Sequence, residues 1–168
     1  MGRKIHVLAR RVLDLCRARN LLVATAESCT GGLVAGALTD IAGSSDVVDC
    51  GFVTYSNAAK QRLLAVSASI LNRRGAVSAE TAAAMAKGAL KNSQAHIAVA
   101  ITGIAGPGGG SKGKPVGLVH FAAAARGGRI VARRRLYGAI GRARVRERSV
   151  GEALTLLALL AKRTKGGN

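Results

Sequence analysis

Three short apolar runs, LLVATA (21–26), CGFVTYS (50–56) and HIAVAIT (96–102), alternate with segments whose apolar residues recur at helical spacing. This alternation constrains the fold more than any other feature of the chain. Such runs have strand length and are too short for independent helices. Strands that alternate with helices pack as a sheet covered on both faces. The chain is therefore predicted to be α/β, a three-layer α/β/α sandwich around a mixed β-sheet.

The intervening segments fit that plan. Ile5, Leu8, Val12, Leu15 and Cys16 mark an amphipathic helix over residues 4–19, and GLVAGALTDIA (32–42) reads as a helix ended by Gly43. A helix is expected from Asn57 to about Leu64, and another in SAETAAAMAKGALKN, with Ser78 as N-cap and Glu80 facing the helix dipole. VGLVHFAAAA and RIVARRRLY flank Arg126-Gly127-Gly128 as a β-hairpin, which supplies the antiparallel part of the sheet. A last helix runs from about Arg142 to Lys162, and the tail KRTKGGN reads as disordered. The length of 168 residues suits one domain, taken as residues 1–168.

Charge and cysteine content narrow the setting. Lys and Arg number 26 against 8 acidic residues, a net charge of +18 that attracts anions of any kind, from nucleic acids to phosphorylated metabolites. Cys16, Cys29 and Cys50 are odd in number and lack C-x-x-C spacing, which argues against a disulfide framework or a zinc site. No run of about 18 apolar residues is present to span a bilayer. The expectation is a cytoplasmic protein without a membrane partner.

One stretch looks like chemistry. TAESCTGG (25–32) places a carboxylate, hydroxyls and a thiol before a double glycine, at a predicted strand-to-helix junction. Ser28 would sit beside unpaired N–H groups of the first turn, from Cys29 to Gly31, with Gly31 and Gly32 letting a ligand approach the backbone. That is the setting of a nucleophile beside an oxyanion hole, although the G-x-S-x-G pattern is absent. The same residues also read as a plain Ser/Thr N-cap, and caps are far commoner than nucleophiles. A serine nucleophile needs a base, and TYSNAAK offers Tyr55 and Lys60 at the end of the next strand. In open α/β sheets, ligand sites gather at the carboxyl ends of parallel strands. A desolvated lysine can lose its proton near neutral pH and act as a base, with the tyrosine relaying the proton or positioning the serine.

Other candidates are weaker. GGGSKGK (108–114) matches a phosphate-loop pattern, but Pro115 stands where Ser or Thr should hold magnesium and a strand, not a helix, follows. The remaining possibility there is that N–H groups near Lys112 and Lys114 meet a phosphate. His6, His96 and His120 are scattered and without metal-ligand spacing, so no metal is expected.

The blocks AESCTGGLVAGALTDIAGSS, GFVTYSNAAK, GAVS before a helix carrying Met85 and Ala86, and ITGIAGPGGG before KPVG occur in one order. Together they closely resemble the C-terminal domain of the competence-damage-inducible (CinA) protein family, over about residues 5–160. That domain also exists as a free-standing nicotinamide-nucleotide amidase. The resemblance implies hydrolysis of the carboxamide of nicotinamide mononucleotide to nicotinate mononucleotide and ammonia, in pyridine-nucleotide salvage, without a cofactor. It places the nucleophile on Ser28 and the assisting pair on Tyr55 and Lys60. It places the loop around the reacting amide on Thr30, Gly31 and Gly32, and a neighbouring pocket wall on Thr102 and Gly103.

Arg142 in GRARVR is the candidate for the substrate phosphate. Gly138 is followed here by Ala139, where many relatives carry an acidic residue, which bears on the phosphate end of the pocket. The expected partners are a small nucleotide substrate and further copies of the chain in a homo-oligomer. Two alternatives accompany this reading: an amidase for another small amide, and a basic nucleic-acid-binding or competence-related module. The arginine excess favours the latter, and the near absence of stacking aromatics opposes it.

Overall fold

The computed structural model describes residues 2–166. Its chain order is α1 (Arg3–Arg17), β1 (Val23–Glu27), α2 (Leu33–Thr39), a short 3₁₀ turn (Ser44–Asp46), β2 (Val48–Val53), α3 (Asn57–Leu64), α4 (Ala68–Arg74), α5 (Ala79–Lys91), β3 (Ile97–Gly103), β4 (Leu118–Ala125), β5 (Ile130–Leu136) and α6 (Arg142–Arg163). The strands form one open sheet in the order β2-β1-β3-β4-β5. β1 is parallel to β2 and β3, while β3, β4 and β5 run antiparallel in turn. The helices cover both faces, giving the predicted α/β sandwich. No helix among the described residues is long and apolar enough to cross a membrane.

The two faces are packed with different residues. On one side α1, α2 and α6 bring Val12, Leu13, Leu38, Leu154 and Leu157 against Val23, Val99, Ile101 and Phe121. Each such side chain contributes roughly 1.5–3 kcal/mol when fully buried. On the other side α5 presents Ala82, Ala86 and Ala89 to Ala24, Ala98, Ala100, Ala122 and Ala124. A layer this small lets helix and sheet approach closely. Gly88 carries the same logic to the helix–helix contact, since a Cβ there would stand 1.9 Å from the Leu64 carbonyl oxygen at the end of α3. Thus α3 rests on α5, and the position of Lys60 within α3 depends on that contact.

Several boundaries differ from the sequence reading. α4 was not predicted: Ser67 caps it through the Ile70 N–H and Gly75 ends it, but seven residues are too few for periodicity to show. α2 is shorter than the expected 32–42: Gly31 and Gly32, with φ of +61° and +95°, hold the chain out of the helix until Leu33, and at the other end the helix stops at Thr39 with Asp40 as its C-cap. β2 ends at Val53, so Tyr55 lies in the link to α3 rather than on the strand. Of the tail expected to be disordered, Lys162 and Arg163 belong to α6, and Gly167 and Asn168 lie outside the described residues.

Candidate active site

β1 and β3 are parallel neighbours whose carboxyl ends meet at one edge, where the Ser28 N–H donates to the Ile101 carbonyl. The chain then turns through Ser28–Gly32 before entering α2. Across the gap, α3 begins after a three-residue link from β2, and its first turn aims Lys60 back at the turn. Nζ of Lys60 lies 3.1 Å from Ser28 Oγ and donates to the Thr54 carbonyl at 2.7 Å. Lys60 is 1 % exposed and Ser28 is 9 % exposed. Burial pulls the Lys60 pKa below its ordinary value, because a cation is poorly solvated there. A neutral Nζ that donates to Thr54 can direct its lone pair at the serine hydroxyl.

Cys29 adjoins Ser28 and is buried. Its side chain joins the core beneath α2 and α6, and burial pushes its thiol up to about 12. A thiol so held is protonated at neutral pH and a poor nucleophile. Lys60 hydrogen-bonds to the serine oxygen, while the neighbouring sulfur acts on it only through its charge.

The backbone donors after the serine divide into two sets. The N–H groups of Gly32, Val34 and Ala35, at the start of α2, all donate to the carboxylate of Glu27, at 3.1, 3.1 and 2.9 Å. Glu27 is fully buried at the end of β1. The sequence reading expected the N–H groups from Cys29 to Gly31 to be unpaired; of these, the Gly31 N–H donates to the Ser28 carbonyl at 3.0 Å. Among the described residues, the backbone N–H groups of Cys29 and Thr30 have no other residue as acceptor. These two, directly after the serine, are the free donors.

The other expected residues separate into a rim and a wall. Tyr55 is 60 % exposed, and its hydroxyl accepts from Arg142 Nη2 at 2.7 Å, not from Lys60 or Ser28. The direct relay expected of Tyr55 has no hydrogen bond in this structure, because the tyrosine lies past the strand end and turns outward to Arg142. Arg142, the first residue of α6, also donates from Nη1 to the Gly106 carbonyl at 3.1 Å. The rim thus joins the β2–α3 link, the β3–β4 loop and α6. Ala139 lies in the link before α6.

Thr102, next to Ser28 across the sheet, donates from Oγ1 to the Ala76 carbonyl at 2.7 Å and so ties the α4–α5 loop to the edge. Gly103 packs against β4, where a Cβ would approach the Leu118 carbonyl oxygen to 2.7 Å. Its smallness answers to strand packing. Lys114 of the glycine loop donates to the Arg74 carbonyl, and β4 follows the loop, so no phosphate-loop helix exists there. His96 Nδ1 accepts from the Leu22 N–H, a structural bond between strand ends.

Two participants were not singled out from sequence: Glu27, visible as a carboxylate just ahead of a helix start, and Arg146. Arg146 lies one helical turn after Arg142, and its Nη2 donates to the Thr30 carbonyl at 2.9 Å. Unsatisfied polar atoms collect nearby: Thr30 Oγ1, Thr54 Oγ1 and Arg146 Nε are buried without a partner. A buried polar group left unpaired costs about 1–3 kcal/mol, and a catalytic or binding role is one reason for keeping it. Hollows of about 510 and 560 Å³ lie along the surfaces of α1 and α6, and neither is lined by Ser28 or Lys60.

The family model for the CinA C-terminal domain matches residues 5–161. The chain belongs to the CinA C-terminal domain family. It is 53% identical over 152 residues to a CinA-like protein of Synechococcus sp. (strain RCC307), covering 90% of this chain and 36% of that protein. Over 129 residues it is 51% identical to a protein of Enterobacter agglomerans named nicotinamide-nucleotide amidohydrolase PncC, covering 77% of this chain and 79% of that one. The structure aligns with the competence/damage inducible protein CihA from Agrobacterium tumefaciens at a TM-score of 0.94 and 55% identity, over 95% of this chain and 97% of the other. The chain thus spans about a third of the length of the Synechococcus CinA-like protein, but most of the Enterobacter amidohydrolase.

Proposed function

We propose that this CinA-family domain is a cytoplasmic serine amidohydrolase that converts nicotinamide mononucleotide to nicotinate mononucleotide and ammonia, a step of pyridine-nucleotide salvage. The observation that carries the reading is the buried Lys60 nitrogen, 3.1 Å from Ser28 Oγ and depressed in pKa by its surroundings. The Enterobacter relative named as a nicotinamide-nucleotide amidohydrolase supports the choice of substrate.

Ser28 Oγ attacks the carboxamide carbon while its proton passes to neutral Lys60 Nζ. The N–H groups of Cys29 and Thr30 stabilise the oxyanion, a contribution worth about a hundred- to a thousandfold per donor in comparable sites. Lys60 then returns the proton to the amide nitrogen, the C–N bond breaks and ammonia departs, leaving a nicotinoyl ester on Ser28. Water attacks the ester, Lys60 accepts its proton, and the carboxylate product leaves with Ser28 restored. Arg142 at the rim receives the substrate phosphate, and the hydroxyl of Tyr55, its present partner, is thereby released toward the substrate. The surplus of 26 basic over 8 acidic residues draws the anionic substrate in.

The test is ammonia release from nicotinamide mononucleotide by the purified protein and by Ser28→Ala, with a chelator present. Turnover that resists the chelator and disappears in the variant is expected. Turnover that persists in Ser28→Ala, or is abolished by the chelator, contradicts the mechanism; a folded protein inert on this substrate redirects the assignment to another amide or to nucleic acid.

A further inference from the structure

We infer that Glu27 and Arg146 are positioning residues that clamp the Ser28–Gly32 turn from opposite sides and so restrict the oxyanion hole to the N–H groups of Cys29 and Thr30. The inference rests on the reading of Ser28 as the nucleophile.

A helix N-terminus beside a nucleophile ordinarily offers its own free N–H groups to a developing negative charge. Here that option is closed. Glu27 spends both carboxylate oxygens on Gly32, Val34 and Ala35, three of the donors at the start of α2. A fully buried carboxylate held only by backbone N–H groups is a fixed anchor, since moving it exposes both partners to an apolar interior. The anchor sits on β1, directly before Ser28, so the sheet sets the start of the turn and the capped helix sets its end.

Arg146 acts on the middle of the same turn. Its Nη2 donates to the Thr30 carbonyl, which orients the peptide plane joining Thr30 to Gly31. The guanidinium lies over Gly31, where an added Cβ would be 3.3 Å from Nη2, and the φ of +61° there is one that residues other than glycine rarely adopt. With the ends pinned by Glu27 and the middle by Arg146, the unpaired donors are those of Cys29 and Thr30. Neither clamp residue touches the reacting atoms; each acts through the turn. Misplacing such donors by about 1 Å costs on the order of a hundredfold in rate.

The test uses the full chain with Glu27→Gln, Arg146→Met and Arg146→Lys, assayed on nicotinamide mononucleotide and with a fluorophosphonate that phosphonylates activated serines with loss of fluoride. The amide of Glu27→Gln sets an N–H donor against backbone N–H donors, so hydrogen exchange at Gly32, Val34 and Ala35 should accelerate. In this variant and in Arg146→Met, kcat should fall about 10- to 100-fold while KM changes less than about threefold. Arg146→Lys, which keeps a donor for the Thr30 carbonyl, should recover part of the loss. Folded variants with wild-type kcat overturn the clamp, as does an equal loss in Arg146→Lys and Arg146→Met. If Glu27→Gln fails to fold, the Arg146 pair decides alone by the same criteria. A wild type inert on nicotinamide mononucleotide but labelled at Ser28 refutes the substrate assignment only. Slower labelling in the variants then still supports the clamp, equal labelling overturns it, and a wild type that is neither active nor labelled overturns both.

Discussion

Lys60 Nζ stands 3.1 Å from Ser28 Oγ although 32 residues of chain separate the two. The contact exists because β1 and β2 are parallel neighbours and each passes into a helix at the same end of the sheet. Its chemical meaning depends on the state of the lysine, which burial drives toward neutrality.

Activity should therefore rise with pH. A base must be unprotonated, so kcat/KM is expected to climb as pH passes through the lowered Lys60 value and to level off below the ordinary 10.5. A pH–rate profile from single-turnover measurements checks this. A rate that falls with rising pH over that range would mean that the protonated ammonium is the working form.

Stability should carry the same signature. Between the lowered folded value and 10.5 the unfolded chain binds a proton at Lys60 that the folded chain does not, so stability increases with pH across that window. In Lys60→Met this increment is absent. Urea unfolding of both proteins over a pH series should give a wild-type-minus-variant free energy that grows as pH approaches 10.5 from below. A flat difference would show that the folded lysine titrates like a free one.

Ser28 and its neighbour should respond in opposite ways to truncation. Cys29→Ala removes a buried thiol held protonated, pushed up to about 12, and should keep turnover while lowering stability somewhat. Ser28→Ala should lose activity by about a thousandfold or more with its fold intact. Ammonia release alongside thermal melts distinguishes the cases, and the reverse pattern would transfer the nucleophile to the sulfur.

Gly88→Ala should be disproportionately harmful. One methyl group there would collide with the Leu64 carbonyl, so α3 must shift or α5 must bend. Overpacking of this kind typically costs about 1–3 kcal/mol, and the shift also carries Lys60 away from Ser28. The expected result is a folded protein of lower melting temperature with most activity lost. Full activity would show that the α3–α5 contact is slack.

Much of this was legible in the chain. The strand runs and the hairpin around Gly127 fixed an α/β plan with a mixed sheet, and the Ser78 cap appears as read, with its hydroxyl accepting from the Thr81 N–H. Ser28 fell just past one strand and Lys60 in the helix that follows the next, and parallel pairing of the two strands brought them together. What stayed hidden depends on side-chain direction. Nothing in TAESCTGG reveals that Glu27 turns into the helix start, and nothing in TYSNAAK reveals that Tyr55 turns out to Arg142. Arg146 was masked by the abundance of arginine around it, because charge density says where cations are and not which one bonds to a carbonyl.

The unequal packing of the two sheet faces also sets where this protein can change. The side built from leucine, valine and isoleucine can exchange one aliphatic shape for another with local repacking. The alanine layer beneath α5 has almost no such freedom, since nearly every replacement is an enlargement. Variation in substrate choice is thereby channelled to the exposed rim around Tyr55 and Arg142, where side chains can be traded without disturbing the platform that holds Ser28 and Lys60.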